Sequence, residues 1–435
     1  MTALRTADFR RLWLAGLMSQ TGDWLLMISL PILVYQYTGS TFGTAAAFLI
    51  ELAPPVLLAP LTGRLADRLD RRRTLLVLSV AQAAALTPVL LVHDAGGLPI
   101  LYAVIAAQAS LAALFEPTKS ALLPTLVHRD RLVSANSLIG LNHNVGRLIG
   151  GPLGGILLAA GGGLPTIVAV DAATFLLAFA LIARMAPAQS PNETRSAAPS
   201  PTRWRTVLAA RQVRAALVVL LTASAAQGIF IVLFVVFVAE KLHGDAGEIG
   251  LLRGVQGIGA IGGGLLLAVA GRTAPGRLTA SAALAFGALS LAIWNAPALT
   301  TAEPLYIALF IAAGAPGVAL MTGLISTLQQ ATTEGQRGTA FAIAGVAASV
   351  GEAVGMLAAG LLGDRLGLTA LLDAQAALYL LAGLLATASL ASVGRAWSRR
   401  SSPRPQSSAP GSSATTRAPA SSWSASTSEA AAGPA

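Results

Sequence analysis

The chain has 435 residues, 54% of them hydrophobic and only 11% charged, and a formal charge of +10. A soluble domain carries roughly 25% charged residues, so this composition excludes a soluble enzyme or a disordered scaffold and directs the apolar residues into lipid. Nucleic acid is not the expected partner, because the basic residues sit in short runs between long apolar stretches and only 5% of residues are aromatic, too few for base stacking. With no cysteine and four scattered histidines (His93, His128, His143 and His243), neither a metal site nor any cofactor is expected.

A membrane-spanning helix needs about 20 mostly apolar residues. The first half offers six such stretches, near 11–36, 41–62, 74–93, 98–115, 134–160 and 164–183. The first is too long for a cleavable signal, carries Asp23 and has no small-residue cleavage site after it. A Pro-, Ser- and Ala-rich segment then separates these six from six more, near 213–239, 247–270, 278–296, 303–328, 338–363 and 368–393. Residues 394–435 are a Ser/Ala/Pro/Gly tail that cannot bury a core. The expected organisation is a six-helix bundle over 1–183, a cytoplasmic linker over 184–212, a second bundle over 213–393 and a disordered cytoplasmic tail. Placing the N-terminus inside puts 25 of the 29 basic residues in cytoplasmic segments and only Lys241 and Arg365 in outer loops. Lys and Arg are retained on that side, so both termini are expected to be cytoplasmic.

The halves repeat at an offset of about 205 residues. Val145-Gly146-Arg147-Leu148-Ile149-Gly150 lines up with Val350-Gly351-Glu352-Ala353-Val354-Gly355, Gly39 with Gly244, and Ser19 with Ser224. A duplicated six-helix bundle with a central site between its halves is an architecture of secondary transporters. Gly146, Gly150 and Gly154 form one helical stripe, and Gly351, Gly355, Ala359 and Gly363 a matching one, as expected of helices that approach closely in lipid. Gly257-Ile258-Gly259-Ala260-Ile261-Gly262 fits G-x-G-x-x-G formally. It lies inside an apolar helix rather than a strand-to-helix turn, so it reads as a packing face and not as a dinucleotide site.

Between the second and third spans runs Gly63-Arg64-Leu65-Ala66-Asp67-Arg68-Leu69-Asp70-Arg71-Arg72-Arg73. Gly63 permits close helix contact and Asp67 can latch against a helix N-terminus or an arginine. Arg68, Arg71 and Arg72 can grip anionic headgroups. The stretch resembles motif A of the major facilitator superfamily, with Asp70 where that motif usually has its second glycine. Phe9-Arg10-Arg11-Leu12-Trp13, Gly22-Asp23-Trp24 and Phe115-Glu116-Pro117-Thr118-Lys119-Ser120-Ala121-Leu122-Leu123-Pro124 look like the branch containing enterobactin exporters and macrolide efflux pumps. Arg147 with Gly150-Gly151-Pro152-Leu153-Gly154-Gly155 is similar to the antiporter motif of helix 5, a residue short in its G-P-x-x-G-G core. The counterpart of motif A in the second half, around Gly271 to Arg277, has Pro275 in place of the acid. The resemblance covers residues 1 to about 393 and implies proton-driven export.

Charges within the spans cost at least ~2.5–3.5 kcal/mol each and need a partner or a cavity. Gly16, Ser19, Gln20, Asp23 and Met27 recur at helical spacing, a polar stripe expected to face a central cavity. There Asp23 can take a proton when withdrawn from water and release it when exposed. Glu51, before Pro54-Pro55, is a second proton-coupling candidate or a structural partner. Arg147 and Glu352 occupy equivalent repeat positions with opposite charges, and can pair across the halves or with other helices. Gln108, Asn142 and Gln227 are further cavity candidates. Arg253 is expected to snorkel outwards, and Asp171 and Asp373 to be water-accessible structural groups.

The expected protein is thus an all-α membrane protein of twelve transmembrane helices in two pseudo-symmetric six-helix bundles, the major facilitator fold. It would sit in the inner membrane as a monomer and exchange protons for a small, amphipathic drug, macrolide or siderophore-like molecule, with no enzymatic activity. Uptake by proton symport, lipid flipping, and a non-transporting receptor or scaffold are the alternatives.

Overall fold

A computed structural model describes residues 2–68, 70–128, 131–160, 163–186, 201–269 and 274–390; within these, the side chains of 59–68 and of a few residues at helix ends lie outside the described set. The predicted tail, residues 187–200 of the linker and Gly271 also fall outside it. The helices are α1 (Ala7–Thr38), α2 (Thr41–Arg68), α3 (Arg71–Ala85), α4 (Leu98–Leu126), α5 (Leu132–Ala159), α6 (Gly163–Ala183), α7 (Pro201–Ala209), α8 (Arg211–Lys241), α9 (Ala246–Val269), α10 (Pro275–Asn295), α11 (Glu303–Ala331), α12 (Glu334–Leu366) and α13 (Leu368–Ser389). The short α7 lies where a linker was expected, and α8 begins within that linker's range.

Eleven of these helices are long and apolar enough to cross a membrane. Helix α5, 28 residues long, is not among them: Asn142, His143, Asn144 and Arg147 interrupt its apolar stretch. Large apolar side chains such as Leu57, Leu266 and Val269 are exposed, a surface that only lipid can cover. Local signals set the helix ends. Gly39 closes α1 in the left-handed conformation, at φ 58, its N–H bonded to the Tyr35 carbonyl. Asp70 starts α3 by accepting the Arg73 N–H at 2.8 Å, so the residue that departs from motif A serves as a helix cap. Helix α2 runs unbroken through Pro54-Pro55.

The repeat is visible in the pairings. In the first half α1 packs on α5 and α6, α3 on α4 and α6, and α2 on α4; in the second α8 packs on α12 and α13, α10 on α11 and α13, and α9 on α11. The glycine stripes explain the closest of these contacts. A Cβ at Gly150 would strike the Thr21 carbonyl of α1, and one at Gly355 the Ala225 carbonyl of α8. Two seams join the halves, α5 to α9 and α2 to α12. In the first, Gly155 lies against the Ala246 carbonyl and Gly250 against that of Gly151. In the second, Gly360 lies against Ala45 and Gly363 against Thr41. All four contacts lie towards the face opposite the termini, where the two halves are closed against each other.

Candidate substrate and proton site

One cavity opens among the helices of the first half, lined by Gln20, Asp23, Trp24 and Met27 of α1, Glu51 of α2, Gln108 and Glu116 of α4 and His143 of α5. A second cavity shares Met27, Glu51, Ala109 and Ala112 with it and adds Ile231, Glu352 and Met356 of the second half. Glu51 thus looks into both, and the two adjoin to reach the boundary between the halves, with Glu51 and Glu352 set in a mostly apolar lining. Among the described residues, no basic group lies within ion-pair distance of Asp23, Glu51 or Glu352.

A hydrogen-bonded chain crosses the first cavity on its terminal side. Lys119 Nζ donates to Glu116 Oε1 at 2.6 Å. Gln20 Nε2 donates to the same oxygen at 3.2 Å, and His143 Nδ1 lies 3.3 Å from Gln20 Oε1, so this nitrogen carries the proton when it donates. The Lys119 side chain is 2% exposed and that of Glu116 41%, so one end of the pair is sealed in protein and the other faces open space. Tallied by sequence as a loop charge, Lys119 in fact lies inside α4, whose helix passes Pro117 and Pro124 and ends at Leu126. A span ended at residue 115 leaves the Glu116–Lys119 pair unseen; their i, i+3 spacing is the signal that finds it.

Trp24 forms the hub between the halves. His143 meets its ring edge-on at 5.2 Å, and the guanidinium groups of Arg147 and Arg253 each lie 5.8 Å from its centroid. Arg253 also lies 4.8 Å over Phe230 and 5.9 Å over Phe234. Far from snorkelling, Arg253 is buried, because the aromatic faces of α8 and Trp24 solvate its cation where lipid and water cannot. Arg147 and Glu352 form no ion pair among the described residues: Arg147 contacts Asn144 at 3.4 Å and Glu352 lines the second cavity. The cation within electrostatic reach of both Glu352 and Glu51 is Arg253.

Other candidates hold the helices together. Ser19 and Asn142 are buried away from the cavity wall, and Asn142 donates to the Trp13 carbonyl at 3.0 Å. Gln227 accepts a hydrogen bond from Tyr379 at 3.0 Å. Gln108 lines the cavity but spends its amide N–H on the Gln82 carbonyl at 2.8 Å. In the motif A stretch, Arg72 donates to the Ala183 and Ile182 carbonyls at the end of α6. The side chains of Asp67 and Arg68, and the surroundings of Gly63, lie outside the described set. Arg71 is partly exposed. In the G-x-G-x-x-G stretch, Gly257 packs on the Asn144 carbonyl and Gly259 on that of Ile311, as a packing face does.

This is the framework of a multi-pass membrane transporter, with two repeated bundles around a largely apolar cavity that holds several carboxyl groups. The family model described as transmembrane secretion effector matches residues 1–409, and the chain belongs to that family of the major facilitator superfamily. It is 28% identical over 143 residues to the uncharacterised MFS-type transporter YfiS of Bacillus subtilis, a match that spans 33% of this chain and 34% of that protein. With the multidrug efflux pump Tap of Mycolicibacterium fortuitum it shares 27% identity over 176 residues, 38% of this chain and 42% of that one. The Tap pump of Mycobacterium tuberculosis is 32% identical over 164 residues, 35% and 38% of the two chains. These matches therefore span well under half the length of each relative. Among solved structures, a bacterial homologue of the iron transporter ferroportin in its inward-facing state superposes with a TM-score of 0.67 at 17% identity, over 88% of this chain and 98% of that one. A bacterial homologue of the lysosomal transporter Spinster gives 0.66 at 14% identity, over 89% and 98%. At these identities the likeness concerns the fold.

Proposed function

We propose that this protein exports small amphipathic molecules in exchange for protons, by alternating access across the inner membrane. The observation that carries the reading is the cavity shared by Asp23, Glu51, Glu116 and His143. Three of these four are carboxylates inside a membrane helix bundle, where an ionised group without a use is a pure cost. Asp23 and Glu51 take up protons when the cavity is shut off from water and release them when it opens; substrate and proton alternate in the same space. Apolar walls from Leu26, Met27, Leu30 and Ile105 suit a molecule with an apolar body and a polar handle. The likeness to multidrug efflux pumps supports the export direction, and the basic segments beside the termini support a cytoplasmic placement of that face.

In this reading the protein is a monomer whose bundles, residues 1–183 and 213–393, rock about the seams. Asp67, with Gly63, Arg68, Arg71 and Arg72, latches the cytoplasmic face when that side closes. The test is accumulation of antibiotics, dyes and siderophore-like compounds in a host stripped of efflux pumps. Wild type lowers accumulation of at least one compound, and a protonophore abolishes the effect. Uptake raised by the protein contradicts export.

A further inference from the structure

Asp171 is a buried carboxyl group with no part in the proposed cycle. It lies in the middle of α6, is 0% exposed, and its Oδ2 has no hydrogen-bond partner among the described residues. Its other oxygen abuts Gly22 of α1 so closely that any Cβ there would collide with it. The residue after Gly22 is Asp23, which is within electrostatic reach of Asp171. The remaining neighbour is Thr174, whose hydroxyl lies 2.8 Å from the Asp171 carbonyl and 3.2 Å from Asp171 Oδ1. A hydroxyl has one proton. Spent on the shorter bond, it leaves the Thr174 oxygen as an acceptor, which suits an Asp171 that carries a proton of its own.

Among the described residues, no cation offsets a charge at this position. Helix α6 holds no other titratable residue, and neither does the 3-10 turn Thr87–Leu91 packed against it. The arginines of α3 lie at the terminal end, where Arg72 is bound to the last carbonyls of α6. On α5, His143 is engaged with Gln20 and Arg147 with Trp24. From α1 the titratable neighbour is Asp23, another acid.

We infer that Asp171 is a further proton carrier of this transporter, beside Asp23 and Glu51, neutral while α6 is seated on Gly22 and emptied when that contact inside the first bundle loosens and water enters. The inference rests on the proton-coupled reading and adds a proton site behind the cavity wall, in series with Asp23. The sole covalent change is loss and recovery of the carboxyl O–H proton, passed to water or to the Asp23 carboxylate.

Infrared spectroscopy of the purified full-length protein in lipid tests this without a substrate. The carbonyl band of neutral carboxyl groups at neutral pH should contain a component that Asp171→Asn removes, that Thr174→Val shifts, and that persists in Asp23→Asn. Gly22→Val, which wedges α6 off α1, should abolish that component at neutral pH and restore it on acidification. Gly22→Ala is the smaller wedge if Gly22→Val does not fold. A wild-type band unchanged by Asp171→Asn would show that Asp171 is ionised and overturn the inference. Persistence of the component in the wedged variant at all pH values would make Asp171 a permanently neutral structural acid and overturn it equally. Failure of proton-driven export, by contrast, would show as unchanged transport in Asp23→Asn and leave these spectra as they are.

Discussion

Tyr35 and Glu240 meet in a 2.7 Å hydrogen bond between α1 and α8, and they stand 205 residues apart, the offset of the internal repeat. The bond therefore joins equivalent positions of the two halves at the axis that relates them. Around it the two seams are equivalent too, but differently made. On one side Thr41 donates to Asp364 at 2.7 Å; on the other, Gly155 and Ala246 meet backbone to backbone. Among the described residues, the closed face thus rests on two side-chain hydrogen bonds and a patch of small residues, a set that can be unmade without breaking the core of either bundle.

Removing those bonds should favour opening of this face. A hydrogen bond to a charged group is worth about 1.5–3 kcal/mol, and exposure reduces that for Tyr35–Glu240, so Tyr35→Phe with Thr41→Val is expected to raise the far-face-open population severalfold. Spin-label distances between the outer ends of α2 and α12 measure it, as growth of a longer-distance component. Identical distributions in wild type and double variant would mean that packing alone sets the closed state.

Glycine packing should matter more than polar bonds at the α5–α9 seam. Gly155→Leu cannot be accommodated against the Ala246 backbone. Overpacking typically costs about 1–3 kcal/mol, which a transporter can relieve by separating the seam rather than unfolding. Cysteine labelling at Ala246, which is buried in the closed seam, should become faster from the far side in this variant, at little change in thermal stability. Slower labelling, or a large fall in stability, would contradict this.

The Glu116–Lys119 pair makes a stability prediction. Glu116→Ala leaves the sealed Lys119 ammonium without its carboxylate. Stranding a buried charge costs about 3–5 kcal/mol, and the exposure of Glu116 argues for the low end. The melting temperature should fall in Glu116→Ala and recover in Glu116→Gln with Lys119→Met. A double variant as unstable as the single one would show that packing around Lys119, not its charge, is at stake.

Much of this was legible in the chain itself. The spans, the repeat, the glycine stripes and the polar stripe of α1 all follow from local periodicity, and Gln20, Asp23 and Met27 do share a cavity wall. What stayed hidden depends on contacts between helices distant in sequence. Arg253 looked like a residue that would reach for water, because Trp24 and Phe230, which cage its cation, come from other helices. Glu352 and Arg147 share a repeat position, yet the pseudo-symmetry does not bring them together; Glu352 opens instead onto the cavity of Glu51. Asp171 looked accessible from its place in α6, but Gly22 lets α1 close over it.

The most direct test of the central claim follows proton movement and substrate flux together. Proteoliposomes holding the purified protein and a pH-sensitive dye would receive a compound identified in the accumulation screen. Wild type should move protons opposite to the compound, with Asp23→Asn folded but slower by about tenfold or more, over 1.4 kcal/mol in the barrier. Compound movement at the same rate in Asp23→Asn, with no proton counterflow in wild type, would contradict proton-coupled export.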